Sequence, residues 1–89
     1  MKSTFTFKYG GKSKSVVVNH EEQYSLLSLN SSKTLNFSAS DHEVRTFLTE
    51  EEYFSFVNIS SGGKNFQLKD VKRTGISGPN VRLKFKSVS

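Results

Sequence analysis

Two histidines, His20 and His42, are the residues of this chain best suited to proton transfer, and the chain has no cysteine. A histidine pair can serve as general base and general acid in phosphodiester cleavage, with a nearby cation that stabilises the developing charge. Each of these histidines, however, stands beside acidic residues near a predicted cap, where a solvated imidazole is ordinary. The two are not four residues apart, and the spacings of His and Glu match no metal motif. The sequence therefore predicts no catalytic residue, no metal site and no cofactor, and a protein that is not an enzyme.

A second chemical motif is the run Gly10, Gly11, Lys12 and Ser13, which ends like a Walker phosphate loop. That motif needs a further glycine five residues before its second one, and this position is Thr6. The residues that follow are typical of a strand, whereas the phosphate loop opens a helix. The run therefore predicts a turn and not a nucleotide site.

Basic residues alternate with apolar ones near the end of the chain. Arg82, Lys84 and Lys86 share one parity, and the intervening residues are apolar. In a strand this pattern projects three cations from one face, about 6.5–7 Å apart. Such a stripe can neutralise successive phosphates, and three further cations widen it if their strand pairs with the last one. These are Lys69, Lys72 and Arg73. The alternative is a solvated sheet face whose lysines discourage edge pairing.

The charge is distributed unevenly within a net charge of +5. Residues 1–18 carry four lysines and no acid, and residues 63–89 carry seven basic residues against one acid. Residues 19–62 carry two basic and seven acidic residues. The termini are therefore basic and the middle is acidic, so an anionic partner is expected at the terminal strands.

Strand formers dominate the composition, with eight Val, eight Phe and six Thr against one Ala and one Met. Turn signals recur about every eight to twelve residues, the spacing of small antiparallel β folds. The sequence predicts one mainly β domain over residues 1–89, an antiparallel sandwich or barrel with at most one or two short helices. We expect strands in a hairpin over 4–19 and over 34–38, 65–73 and 81–88.

In two segments the sequence pattern is compatible with either a helix or a strand. Residues 20–28 follow a capping-box pattern, although we favour a strand over 24–29. Residues 49–57 combine a capping pattern at Thr49 with aromatic and β-branched strand formers. Either a short helix starts at Thr49 or a hairpin turns there.

The apolar share of 34% indicates a thin core built from large side chains. The alternating Phe5, Phe7 and Tyr9 are therefore predicted to be core residues and not a stacking platform for bases. A domain of this size buries only about 60% of its extended surface, so a homo-oligomer is an alternative that would add stability. The N-terminus lacks a signal-peptide pattern and no run approaches a membrane span, so we expect no membrane partner and a cytoplasmic protein, in the host cytoplasm if the source is viral.

Three functions follow from these patterns. The leading hypothesis is a small binding protein whose basic terminal strands contact RNA, DNA or a protein that handles nucleic acid. The alternative is a protein-interaction module or inhibitor of the phage or mobile-element accessory type, acting through its acidic middle segment. Its candidate residues are Glu50, Glu51, Glu52, Tyr53, Phe54 and Phe56. A third hypothesis is a structural subunit that assembles through open strand edges.

Overall fold

The computed structural model describes residues 2–20, 23–39 and 41–89. This part of the chain forms seven strands and two short helices, which confirms the prediction of a mainly β fold. In chain order the elements are β1 (Lys2–Tyr9), β2 (Lys12–Asn19), α1 (Leu26–Ser32), β3 (Thr34–Ser38), α2 (His42–Glu50), β4 (Tyr53–Ser61), β5 (Lys64–Ser77), β6 (Asn80–Lys84) and β7 (Ser87–Val88).

The strands form a single antiparallel sheet in the order β4-β1-β2-β3-β6-β5-β7. An additional pairing between β4 and β5 joins the two sides, so the sheet curls into a ring. The ring is not a barrel, because β2 and β3 pair only at Asn19 and Ser38. Near this gap the Tyr24 hydroxyl donates a hydrogen bond to the Asn36 carbonyl at 3.4 Å. The Tyr24 side chain therefore bonds to a backbone carbonyl of β3 where β2 and β3 lack backbone hydrogen bonds.

The core lies inside the ring and is built largely from phenylalanine rings. Phe5 and Phe7 are fully buried, as the sequence predicts. The Phe7 ring contacts Phe47 of α2 and Phe54 of β4, with centroid distances of 5.5 and 4.9 Å. Tyr9, at the end of β1, is half-buried against these two rings. Few apolar residues thus suffice because the buried ones are large.

Glycine pairs form two of the tight turns of the sheet. Gly10 and Gly11 connect β1 to β2 with φ values of 51° and 76°, and Gly62 and Gly63 connect β4 to β5 with 56° and 81°. Two consecutive residues with positive φ are what a type I′ hairpin turn requires, and glycine adopts them without steric cost. The predicted hairpin over 4–19 is confirmed, with its turn at Gly10.

The first helix lies at Leu26–Ser32, later than the predicted 20–28, and the strand favoured for 24–29 is wrong. Ser25 caps this helix because its Oγ accepts a hydrogen bond from the Ser28 N–H at 3.1 Å. Leu29 is the buried residue of this helix and packs into the hydrophobic core inside the ring. The sequence pattern at Glu21 and Glu22 lies outside the described residues.

The second helix lies at His42–Glu50 and not at 49–57. Asp41 caps it, since its Oδ1 accepts from the N–H groups of Glu43 and Val44 at 2.9 and 3.2 Å. The capping pattern read at Thr49 is therefore at the wrong end of the helix, where Thr49 Oγ1 donates to the Arg45 carbonyl. The strand formers that follow do form strand β4.

The last predicted strand is broken. β5 is fourteen residues long and pairs with β4 on one edge and with both β6 and β7 on the other. Between β6 and β7 the chain bends at Phe85 and Lys86, and the Lys86 N–H donates to the Lys69 carbonyl at 3.0 Å. The interval predicted as one strand over 81–88 is thus two strands on the same neighbour.

Candidate functional site

The exposed side of β6 carries the cations that the sequence alternation predicts. Val81, Leu83 and the following Phe85 are buried, whereas the cations between and after them are exposed. These are Arg82, Lys84 and Lys86. The alternation of β6 therefore places its charges outside the ring.

Strand register places Tyr53, Lys72 and Lys84 in one row across three strands. Tyr53 of β4 pairs with Lys72 of β5, which in turn pairs with Lys84 of β6. Directly paired residues point to the same face, with Cβ atoms about 4.5–5.5 Å apart. The Lys72 Nζ lies 5.5 Å from the centre of the Tyr53 ring, within cation–π range. Tyr53 is 64% exposed, so its ring is accessible to a ligand.

A second row lies beside the first and has the same composition. Phe56 of β4 pairs with Lys69 of β5 on one side and with Lys8 of β1 on the other. Phe56 is 37% exposed, and three residues of strand place it about 10 Å from Tyr53. We call these two rows the basic-aromatic face, formed by Lys8, Tyr53, Phe56, Lys69, Lys72 and Lys84.

A kink shared by β4 and β5 changes the alternation of β4, so that Tyr53 points outward like Phe56. Ser55 and Asp70 face each other without ladder pairing, and Asp70 has a φ of 54°. In each strand two consecutive residues are exposed at this point, Ser55 with Phe56 and Lys69 with Asp70. The kink therefore puts Phe56 on the same face as Tyr53.

The basic-aromatic face has unbalanced charge. Within residues 2–20, 23–39 and 41–89, none of its four lysines forms an ion pair, and the exposed Asp70 forms none with them. Lys72 and Lys84 stand directly opposite each other, an arrangement of like charges that destabilises a sheet. An anion bound over this pair would remove the repulsion.

Arg82 and Lys86 lie at the margin of this face, and Arg73 lies on the other side of the sheet. Arg82 is held by its Nε–H, which donates to Asn36 Oδ1 at 3.1 Å. Arg73 pairs with the buried Leu83, so it shares the core side of the sheet. Its Nε is buried without a hydrogen-bond partner. Five of the six predicted cations are therefore exposed, and Arg73 is not part of the basic surface that they form.

The candidate residues of the acidic segment lie in different environments in the structure. Glu50 ends α2, Glu51 is its C-cap, and the Glu52 carbonyl accepts the Arg73 N–H at 2.8 Å. Phe54 is buried in the core, so it is not an exposed anchor. Tyr53, like Phe56, is exposed but lies among the lysines of the basic-aromatic face.

The two histidines lie at opposite ends of β2. His20 is buried, its Nε2 is hydrogen-bonded to Ser3 Oγ at 2.5 Å, and its ring stacks on Tyr24 at 4.1 Å. Burial raises the pKa of Tyr24 to about 12, so its hydroxyl stays protonated as a donor. His42 is exposed and lines a cleft of about 520 Å³ that also contains Lys14. Six residues of strand, about 20 Å, separate Lys14 from His20, so the geometry does not assemble a histidine acid–base pair.

In the described part of the chain, no three His, Asp or Glu side chains are close enough together to hold a metal ion. Neither described helix has the length and apolarity needed to cross a membrane. No family model, no curated protein sequence and no solved structure matches this chain. The local geometry is therefore the basis for a functional argument.

Proposed function

We propose that this protein is a non-enzymatic binding protein for single-stranded nucleic acid, which lies along the basic-aromatic face. The observation that carries the proposal is that two exposed rings, Tyr53 and Phe56, share one face with lysines that have no ionic partner among the residues the structure describes. Lysines contact phosphates and release counterions, while exposed rings stack on bases.

The rings favour a single strand over a duplex. The bases of a duplex are stacked on each other, so their faces are closed to side chains, whereas a single strand exposes them. Base–aromatic stacking contributes about 1–3 kcal/mol per base and tolerates any sequence. Two such rings on adjacent rows can therefore hold two bases while the lysines contact the backbone.

An ordinary solvated sheet face accounts less well for these residues. Such a face needs polar side chains, but it does not need an aromatic ring in each of two adjacent rows. It also gains nothing from Lys72 opposite Lys84, which repel each other in the absence of an anion.

The test is a titration of the protein into fluorescent single-stranded and duplex oligonucleotides over a range of salt concentrations. Reversing the paired lysines, Lys72→Glu with Lys84→Glu, should weaken single-strand binding by at least about tenfold, because two phosphate contacts become repulsive. The matched control is Lys2→Glu with Lys12→Glu, which makes the same charge change at exposed positions of the first hairpin. This control should lose less than about threefold.

The salt dependence provides a second readout. The wild-type log–log slope should be about −0.7 for each phosphate contact on a single strand. Equal losses in the two double variants would show that net charge alone drives binding, which contradicts the proposal. Absence of single-strand binding by the wild-type protein would also overturn it, and the acidic segment Glu50–Glu52 would remain as the candidate interface for a protein partner.

A further inference from the structure

A groove continues the outer face of the sheet beyond the row of Phe56. The next two rows across β1, β4 and β5 carry hydroxyl and amide side chains only. They are Thr6–Asn58–Gln67 and Thr4–Ser60–Asn65. Together with Ile59, Phe66 and Ser89 these residues line a cavity of about 300 Å³.

The groove has hydrogen-bonding capacity that the protein leaves unused. The side-chain amides of Asn58, Asn65 and Gln67 make no hydrogen bond to any described residue. Each amide offers two N–H donors and one carbonyl acceptor. Among the described residues that line the groove there is no Lys, Arg, Asp or Glu, so these residues supply no cation to hold a phosphate and suit an uncharged group with polar edges.

The groove adjoins the aromatic row closely enough for one nucleic-acid strand to reach both. Asn58 follows Phe56 by two residues on β4, about 6.6 Å along the strand. Asn58 also pairs directly with Gln67, so two amides face the same space. A cavity of this volume is at the lower end of ligand pockets, about 300–1,000 Å³, which suits one base better than several.

We infer that this groove takes one unstacked base of the bound strand and reads its edge through Asn58 and Gln67. This inference rests on the proposed function. Amide side chains pair most readily with adenine, which presents an adjacent donor and acceptor at N6 and N7. The protein is therefore a single-strand binder with a base preference at one position, next to the base that stacks on Phe56.

The test uses four single-stranded 12-mers that are homopolymers of adenine, cytosine, guanine and uracil. The wild-type protein should bind the adenine strand about tenfold more tightly than the weakest of the other three. Asn58→Ala with Gln67→Ala should reduce this ratio to about twofold or less and leave the salt slope unchanged. The matched control Asn80→Ala removes an exposed amide from β6 and should keep the ratio.

A nearly isosteric variant guards against misfolding. Asn58→Asp keeps the shape of the side chain and removes its N–H donors, so the adenine preference should fall although the fold is retained. Equal affinity for all four strands, or a preference that survives the double alanine variant, would overturn the inference. In that case the Lys72→Glu, Lys84→Glu variant still reports on the proposed function separately, because it changes affinity for every strand.

Discussion

The sheet contains two hairpins with the same turn but different outer faces. Both use a Gly-Gly turn followed by lysine, and both bury apolar side chains on the inner face. On the outer face of β1–β2, Thr6 Oγ1 and Ser15 Oγ share a hydrogen bond at 3.0 Å. On the outer face of β4–β5, two rings are paired with lysines. In the first hairpin the Thr6 and Ser15 hydroxyls satisfy each other, whereas in the second Tyr53 and Lys72 expose groups that a ligand would satisfy.

The two pairs of residues differ in what they leave unsatisfied. The Thr6 and Ser15 hydroxyls bond to each other, so this pair by itself requires no ligand. Tyr53 and Lys72 expose apolar ring surface and uncompensated charge in the same row. Turn geometry is therefore shared by both hairpins, and the difference between them lies in the side chains of their outer faces.

The largest effect should be the loss of folding stability caused by a substitution on the inner face of the sheet. Phe7→Ala removes a fully buried ring that contacts Phe47 and Phe54, and it should lower the free energy of unfolding by about 3–5 kcal/mol. Phe56→Ala removes a ring from the outer face and should cost less than about 1 kcal/mol. Urea denaturation followed by circular dichroism measures both. Similar costs for the two variants would mean that Phe56 is a core residue and not part of an interface.

An intermediate effect is expected on nucleic-acid affinity, which should fall when a ring is removed from the outer face of β4–β5 and not when a side chain is removed from the outer face of β1–β2. Tyr53→Ala should weaken single-strand binding by about 1 kcal/mol or more, since one stacked base loses its ring. Val17→Ala, on the outer face of the first hairpin, removes a residue that is 67% exposed and should leave binding unchanged. Tyr53→Phe should retain most of the affinity because stacking needs the ring and not the hydroxyl. Fluorescence anisotropy with one labelled oligonucleotide compares all three, and a loss in Val17→Ala equal to that in Tyr53→Ala would remove the distinction.

Much of the fold follows from the sequence because glycine pairs and alternation are local signals. The turn at Gly62 and Gly63 alone gives the register of β4 against β5, and counting back from it places Tyr53 opposite Lys72. Helix α2 differs from the prediction because the sequence shows a capping pattern at Thr49, whereas Asp41 forms the cap. The stripe of Val44, Phe47 and Leu48 that packs against the core decides this outcome, and packing is not a local signal.

The candidate site was harder to predict than the register. Strict alternation counted from the buried Ile59 would put Tyr53 inside and Phe54 outside, but the kink at Ser55 and Asp70 reverses this parity. Nothing in the local sequence requires Asp70 to adopt a positive φ, although aspartate tolerates it better than most residues. The sequence separates Tyr53 and Phe56 from the basic candidates because they follow the acidic run Glu50–Glu52, and the structure brings these two rings onto one face with lysines.

The smallest predicted effect has opposite signs for stability and binding. Lys84→Gln removes the charge that faces Lys72, so at low salt the free energy of unfolding should rise by about 0.2–1 kcal/mol. The same change should weaken single-strand binding, because one phosphate contact is lost. At about 1 M salt the Debye length is about 3 Å, so the gain in stability should largely disappear.

The control for this prediction lies in the first hairpin. Lys12 pairs with the uncharged Tyr9, so Lys12→Gln makes the same change in net charge without relieving a cross-strand repulsion. Thermal denaturation at low and high salt should show a stabilised Lys84→Gln and an unchanged Lys12→Gln. If both variants gain equally, the repulsion is a property of the whole basic protein and the pairing of β5 with β6 is not specially destabilised by Lys72 and Lys84. If only Lys84→Gln gains stability while losing affinity, the sheet retains a destabilising lysine pair that an anionic ligand neutralises, which is the behaviour expected of a binding surface.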